Sequence, residues 1–404
     1  MKKVLAIIMA GGNGSRMGVL CSDIPKPMLT FGASCRVIDF TLTNCVRSGF
    51  RDILVPVDYR REKMTDYLTK WSLANSMKNE LRILEPQNGH YLGTADAIRQ
   101  NLALIENYKP DIVMILAGDH VYKMDYRDML DFHISRDANI TLSVKPVHLD
   151  QASNFGIVNV NSNSEITDFV EKPAVPTGNL ASMGIYLFRT DTLLNQLERN
   201  DMSLNDFGHD IIPSMIEDGR VMAYQYKGYW RDIGTVDSYY RTNMDLLGYP
   251  PVISIEGQWP VLTDSTFSRP VRKYRAGNVW NSIVGASCRI EGRVENCILE
   301  DGVSIGHNVT VRNSIVMARA SIGDYSVLNH CILDRGAKVD KFCFIGKPGI
   351  PLKASDITII DRDVRISQYE SILLKYNNSS FAHGGSLVHA LSNYERRPKA
   401  SRSA

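Results

Sequence analysis

The sequence predicts an α/β domain built on a mostly parallel sheet, followed by a left-handed parallel β-helix. Three observations predict it. Through the first 250 or so residues, short apolar runs alternate with helix-like stretches, the pattern of strands joined by crossover helices. Strings able to carry chemistry follow directly on two of those runs. Beyond about residue 275 a repeat takes over. Asn281-Ser282-Ile283-Val284, Asn296-Cys297-Ile298-Leu299, Asn313-Ser314-Ile315-Val316 and His330-Cys331-Ile332-Leu333 recur at intervals of 15, 17 and 17. Steps of the Gly-x-x-Val/Ile type lie between them. About three such steps per turn make a coil in which each rung buries its apolar residues against its neighbours.

Length and composition set the frame. At 404 residues the chain exceeds one hydrophobic core, so two domains are expected. We read residues 1–250 as the α/β domain and 251–275, with Pro250-Pro251, Trp259-Pro260 and Pro270, as a linker. Residues 276–370 form the β-helix and 371–404 a polar, basic extension expected to be partly disordered. The apolar fraction of 44% and charged fraction of 22% are those of an ordinary soluble protein. A net charge of +2 calls for neither nucleic acid nor an acidic membrane. Seven cysteines without CxxC pairs argue against a zinc site or disulfide framework and suit a reducing cytoplasm. Met1-Lys2-Lys3 before an apolar run faintly resembles a signal peptide, but the run is short and leads into a glycine loop. No apolar stretch approaches the roughly 20 residues of a membrane span.

The elements follow in order. Val4 to Met9 is a short apolar run, as expected of a strand buried on both faces. Ala10-Gly11-Gly12-Asn13-Gly14-Ser15-Arg16 follows it. The glycines allow close backbone approach to a ligand, and inward amides would form an anion-binding concavity. Arg16 adds a forked cation suited to phosphate, and Lys26, between Pro25 and Pro27, adds a second. The loop is neither a Walker A sequence nor a dinucleotide fingerprint, since Met17 stands where the third glycine of the latter belongs. On its glycines alone, a turn without a ligand remains an open reading.

Ile53 to Val57 is an expected strand and Arg60 to Trp71 an expected helix; Asp111 to Ala117, Asn139 to Val144 and Ile157 to Val160 are further strands. Ligands in such sheets bind at the carboxyl ends of strands. The glycine loop and Gly118-Asp119-His120 would both lie there. Asp119, directly after a buried strand, suits a magnesium ion, which takes one or two carboxylates plus phosphate oxygens. A helix cap is the competing reading. Lys172, before Pro173 in Phe169-Val170-Glu171-Lys172-Pro173, is a point charge suited to a phosphate monoester; a solvated Glu-Lys pair is the alternative.

Taken with Arg16 and Pro25-Lys26-Pro27, the glycine loop resembles the signature of the sugar-nucleotide pyrophosphorylases. Cys35-Arg36-Val37-Ile38-Asp39-Phe40 through Asn44-Cys45, and Leu116 to Tyr126, are similar to the ADP-glucose pyrophosphorylase (glucose-1-phosphate adenylyltransferase) family. The resemblance implies a Rossmann-like nucleotidyltransferase domain and adenylyl transfer from ATP to glucose 1-phosphate with Mg2+. It implies Arg16, Lys26 and Asp119 as catalytic residues, with Asp119 and Asp232 (in Tyr229-Trp230-Arg231-Asp232) as metal carboxylates. It further implies nucleotide contacts at Ala10, Gly11, Gly12, Gly14, Tyr91, Gly93, Thr94 and Gly118. Sugar-phosphate contacts would fall to Gly156, Glu171, Lys172, Ser182 and Asp206. The family is commonly tetrameric, so the β-helix is expected to serve structure and assembly, with His307 and His330 at solvent-facing corners rather than in a second active site.

Three positions depart from the regulated bacterial pattern. Cys35 stands where a lysine often helps bind an activating sugar phosphate; Asp58 and His90 replace residues linking effector to active site. We therefore expect weak or altered activation by fructose 1,6-bisphosphate. Pro25-Lys26-Pro27 is closer to the wider superfamily and leaves another nucleoside triphosphate open as substrate. A non-catalytic regulatory subunit and a pure β-helix scaffold are the remaining alternatives. The joint presence of Arg16, Lys26, Asp119, Lys172 and Asp232 speaks against the former.

Overall fold

The computed structural model describes residues 2–12, 14–198, 205–264, 270–276, 278–346 and 357–372. The expectations for the terminal extension beyond 372 lie outside these residues. The chain divides into two compact units, the first comprising residues 1–13, 25–28 and 37–232 and the second residues 14–24, 29–36 and 233–404. The contact boundary thus follows Asp232, and the helix Val236–Met244 belongs with the repeat region.

The core of the first unit is a nine-stranded sheet. Its parallel half runs Ile112–Ala117, Val4–Met9, Ile53–Pro56, Leu81–Leu84. The first three of these are continuous, buried apolar runs, as expected of strands covered on both faces, while Leu81–Leu84 at the edge carries exposed Arg82. The other half is mixed. Leu180–Arg189 pairs antiparallel with Ile112–Ala117 and with Ile140–Pro146, and Gly156–Val160 pairs antiparallel with Ile166–Glu171. The sheet is therefore less uniformly parallel than its first strands suggest. From Val4–Met9 the chain moves outward through two strands, then returns to place Ile112–Ala117 on the opposite side. The order reverses between these neighbours, and a crevice opens at their carboxyl ends.

A two-stranded ladder beside that crevice pairs His120–Tyr122 with Trp230–Asp232, setting Asp232 opposite His120. The helix Ile38–Arg47 holds the first of these strands. Buried Asn44 donates to the Tyr122 carbonyl at 3.2 Å and accepts from the Met124 amide at 3.2 Å. Thr41 Oγ1 donates to the Ala117 carbonyl at 2.9 Å. The Ile38–Asn44 string thus fixes the backbone that carries Asp119.

The second unit is a three-faced coil. One face stacks Ile283, Ile298, Ile315, Ile332 and Ile359 in register. A second stacks Ile290, Ile305, Ile322, Val339 and Ile366. A third runs from Val294 through Val311 and Leu328 to Ile345. The recurring Asn281, Asn296 and Asn313 sit at one corner with φ of 41°, 53° and 46°. Asparagine tolerates this left-handed region better than most residues. Their carboxamides form a ladder, Asn281 to Asn296 at 2.8 Å and Asn296 to Asn313 at 3.2 Å. Within the expected linker, Val271–Ala276 forms a strand antiparallel to Val279–Val284.

His330 corrects one expectation. It holds the same corner, φ 56°, but is only 7% exposed. Its ring packs edge-on against Tyr240 with Nδ1 3.0 Å from the phenolic oxygen. The helix Val236–Met244 supplies Tyr240 and so covers this corner. His307 is exposed, as expected, and pairs with Glu291 at 3.0 Å.

Candidate active site

The crevice of the first unit is a cavity of about 450 Å3. Gly11 and Gly12 line it from the end of Val4–Met9, and Asp119 and His120 from the end of Ile112–Ala117. Among the described residues, a Cβ on Gly12 would meet no atom within 4 Å, and Gly12 is not in the left-handed region. A glycine there leaves the backbone open to close approach by a ligand.

Lys26 is buried, only 6% exposed. Its ammonium donates to Asp119 Oδ2 at 2.8 Å and to Asp232 Oδ1 at 3.0 Å. Desolvation pushes each partner toward its neutral form, but their mutual attraction wins. The Asp119 carboxyl is drawn down to about 2 by Lys26 and His120. Lys26 is raised above its ordinary value by the two carboxylates. Buried ion pairs of this kind add little net stability, since desolvation offsets their attraction. Stability therefore does not account for the cluster.

His120 is the neighbour for which sequence reasoning named no role. Its Nε2 lies 3.6 Å from Asp119 Oδ1 and 3.6 Å from Asp232 Oδ1. Trp230 Nε1, a donor only, meets its Nδ1 at 3.3 Å. That contact puts the ring proton on Nε2, facing the carboxylates. One ligand atom each from Asp119, His120 and Asp232 fall within 4.8 Å of one another. Two carboxylates side by side, one of them lining the cavity, suit a hard divalent cation. With its proton on Nε2, His120 turns a polar N–H toward the carboxylates, too far for a hydrogen bond, and offers no lone pair there as a third ligand.

Glu171 and Lys172 also line the cavity. Lys172 is non-glycine at φ 46° and its side chain is 53% exposed. Its ammonium meets Glu171 Oε1 at 2.6 Å. An exposed pair contributes little to stability, while a left-handed residue is strained, a combination found at functional sites. Two glycines make room for the Glu171 carboxylate: a Cβ on Gly156 or on Gly208 would come within 2.7 Å of Oε2. Asp206 accepts from the amides of Gly208 and His209 at 2.9 and 3.0 Å and from Thr94 Oγ1 at 3.0 Å. Its carboxylate thus ties the 205–208 turn to the helix Thr94–Arg99. Gly93 precedes that helix, and a Cβ there would strike the Asn205 carbonyl at 2.3 Å.

Tyr91 lines the cavity on a loop held by Asp58, which accepts its amide at 3.0 Å and also lines the cavity. Asp58 was legible only as a departure from the family pattern. Its place after the Ile53–Pro56 strand, at the same edge as Gly11 and Asp119, was the available signal.

The remaining expected residues stand elsewhere. Ala10, Gly118, Gly156 and Ser182 do not line the cavity. Gly118 is accounted for by packing, because a Cβ would lie 2.8 Å from the Met9 carbonyl. Ser182 is buried, with Oγ 3.4 Å from the Tyr186 hydroxyl. Gly14, at φ 64°, opens the 3-10 segment Ser15–Cys21, kinked at Gly18, that carries Arg16, and both belong to the second unit. Cys35 is buried, its thiol 3.4 Å from the Phe31 carbonyl.

Comparison with known proteins is consistent with this geometry. The nucleotidyl transferase family model matches residues 5–248, and the GlmU-like C-terminal hexapeptide model matches residues 267–349. The chain is 39% identical over 378 residues to the glucose-1-phosphate adenylyltransferase of Desulforamulus reducens, covering 90% of this chain and 94% of that protein. The chain belongs to the glucose-1-phosphate adenylyltransferase family. Further members are the enzyme of Bacillus thuringiensis, 39% identical over 82% of this chain and 92% of its own length, and that of Acetivibrio thermocellus, 38% identical over 84% and 83%. The three-faced coil is the left-handed parallel β-helix of the hexapeptide model. Among the described residues, no helix is long and apolar enough to cross a membrane.

Proposed function

We propose that the protein transfers an adenylyl group from ATP to α-D-glucose 1-phosphate, releasing pyrophosphate and supplying ADP-glucose for glycogen synthesis in the cytoplasm. The observation that carries this reading is the meeting of Lys26, Asp119 and Asp232 beside a cavity that Asp119, Glu171 and Lys172 line, in a member of this family.

A phosphate oxygen of glucose 1-phosphate attacks the α-phosphorus of ATP. A new P–O bond forms, the α–β bridging P–O bond breaks, and its electron pair leaves with pyrophosphate. The nucleophile is already anionic, so no protein nucleophile or strong base is needed. The protein's work is alignment and charge neutralisation. Lys172 holds the attacking phosphate, and Glu171 and Asp206 accept from sugar hydroxyls. Gly11 and Gly12 bring backbone close to the triphosphate, and Tyr91 flanks the base. Lys26 and Arg16 neutralise the α-phosphate and the departing pyrophosphate. Asp119 and Asp232 would hold Mg2+, which supplies Lewis-acid charge stabilisation when bound. His120, oriented by Trp230, steadies both carboxylates. The β-helix serves assembly, for which we propose a homotetramer.

Pyrophosphate release from ATP and glucose 1-phosphate with Mg2+, measured against UTP, dTTP and GTP, tests the reading. ATP should be preferred by tenfold or more, about 1.4 kcal/mol. Equal or better use of another triphosphate would reassign the nucleotide, and no release with any pair would overturn the proposal.

A further inference from the structure

Lys26 does not point at open crevice. Its ammonium is lodged between the two carboxylates that the proposed reaction needs for a metal. The contact atoms matter. Lys26 takes Asp119 Oδ2 and Asp232 Oδ1, and Asp119 and Asp232 are the two carboxylates of the cluster whose ligand atoms fall within 4.8 Å of one another. An ammonium and a divalent cation sharing those carboxylates would lie a few ångströms apart with little water between them, where like charges repel strongly. The backbone of Lys26 is held in the short helix Lys26–Met28 between two prolines, so the change of partner falls to the side chain. A lysine suits that task, being a compact charge on a flexible four-carbon stem.

We propose that Lys26 is a stand-in cation: its ammonium occupies the Asp119–Asp232 pair until a triphosphate offers it another anion, so that nucleotide and metal bind as a coupled pair and metal alone binds poorly. The inference rests on the reading of Asp119 and Asp232 as the metal carboxylates. It gives Lys26 two jobs in sequence. In the free enzyme it keeps two half-buried carboxylates from facing each other unpaired, which would be costly. With nucleotide bound it moves to the phosphates and leaves the carboxylates to the metal. Coupling of this kind is reciprocal, so metal must tighten nucleotide binding by the factor by which nucleotide tightens metal binding.

The test is Mn2+ binding to the full-length protein, followed by electron paramagnetic resonance of free Mn2+, without nucleotide and with non-cleavable α,β-methylene-ATP. Lys26→Met should bind Mn2+ alone at least about tenfold more tightly than the wild type, and the tightening caused by the analogue should shrink. Lys26→Gln repeats the test should the methionine variant fold poorly. Lys26→Arg, which keeps the charge, should stay as weak as the wild type. Wild-type affinity in Lys26→Met and Lys26→Gln, with binding still lost in Asp119→Asn, would refute the stand-in role and leave the metal site intact. Mn2+ binding indifferent to both Asp119→Asn and Asp232→Asn would instead refute the metal site itself.

Discussion

In the β-helix, buried polar side chains serve the backbone. Ser282, Ser314 and Ser326 each accept the amide of a cysteine one coil on, at 3.0, 3.2 and 3.0 Å. The asparagine ladder links successive coils side chain to side chain at a corner. In the sheet unit Asp58 and Asp206 at the cavity also accept backbone amides, but three charged groups beside it bond chiefly to one another. Lys26, Asp119 and Asp232 neutralise one another at a cost in desolvation, and Lys172 holds a strained backbone in solvent. The difference teaches where function lies. A buried polar group that completes a ladder is explained by folding, and a buried charge that completes none asks for a ligand.

The largest effect expected from this contrast lies in the coil. Leu328, fully buried, should cost about 2–5 kcal/mol when cut to alanine, read in urea unfolding, with turnover at 25 °C largely kept. Loss of turnover without loss of stability would erase the contrast. Next, Asp119→Asn should lower turnover by roughly 100-fold or more, about 3 kcal/mol in the barrier. Its melting temperature should move little, because Lys26 keeps Asp232. A steep fall in melting temperature with near-normal turnover would turn the cluster into a structural one.

His133 sharpens the comparison from within the sheet unit, away from the cavity. Its Nδ1 meets Thr141 at 2.8 Å while Nε2 is buried without a partner among the described residues. Burial, aided by Arg189, pushes it down to about 4. Between that value and the ordinary 6.5 the unfolded chain binds a proton that the folded one does not. Stability from this group is therefore full above pH 6.5 and is lost as pH falls toward 4, by up to about 1.4 kcal/mol per pH unit. Urea midpoints at pH 7 and pH 5 should differ less in His133→Gln than in the wild type; equal differences would contradict the assignment. The smallest effect belongs to Ser314→Ala, about 1 kcal/mol through the lost bond to the Cys331 amide, with no change in turnover.

Much of this architecture was legible in the chain. The apolar runs marked the central strands, and the interval of the Asn-x-Ile repeats marked the coil, because a repeated turn needs the same residues at the same place. Asp119 and Gly12 were legible because a strand's carboxyl end is a known place for ligands. Other parts depended on distance in the fold. Asp232 reaches Asp119 only through the ladder that pairs it with His120, and no local spacing announces that. Gly118 and Gly156 read as ligand contacts but answer first to neighbours, Met9 and Phe169, that are remote in sequence. His330 read as a solvent-facing corner because the helix carrying Tyr240, which covers it, could not be placed from the repeat alone. Lys26 was legible as a cation, but its partners in the free protein were not.

The central claim is that Asp119 and Asp232 form one metal-binding pair at the cavity, with Lys26 between them in the free protein. A crystal grown with Mn2+ and α,β-methylene-ATP tests it most directly, through the anomalous signal of manganese. The account predicts a manganese peak within coordinating distance of both carboxylates, with the Lys26 ammonium moved to the phosphates. A peak elsewhere, with Lys26 still bridging Asp119 and Asp232, would contradict it.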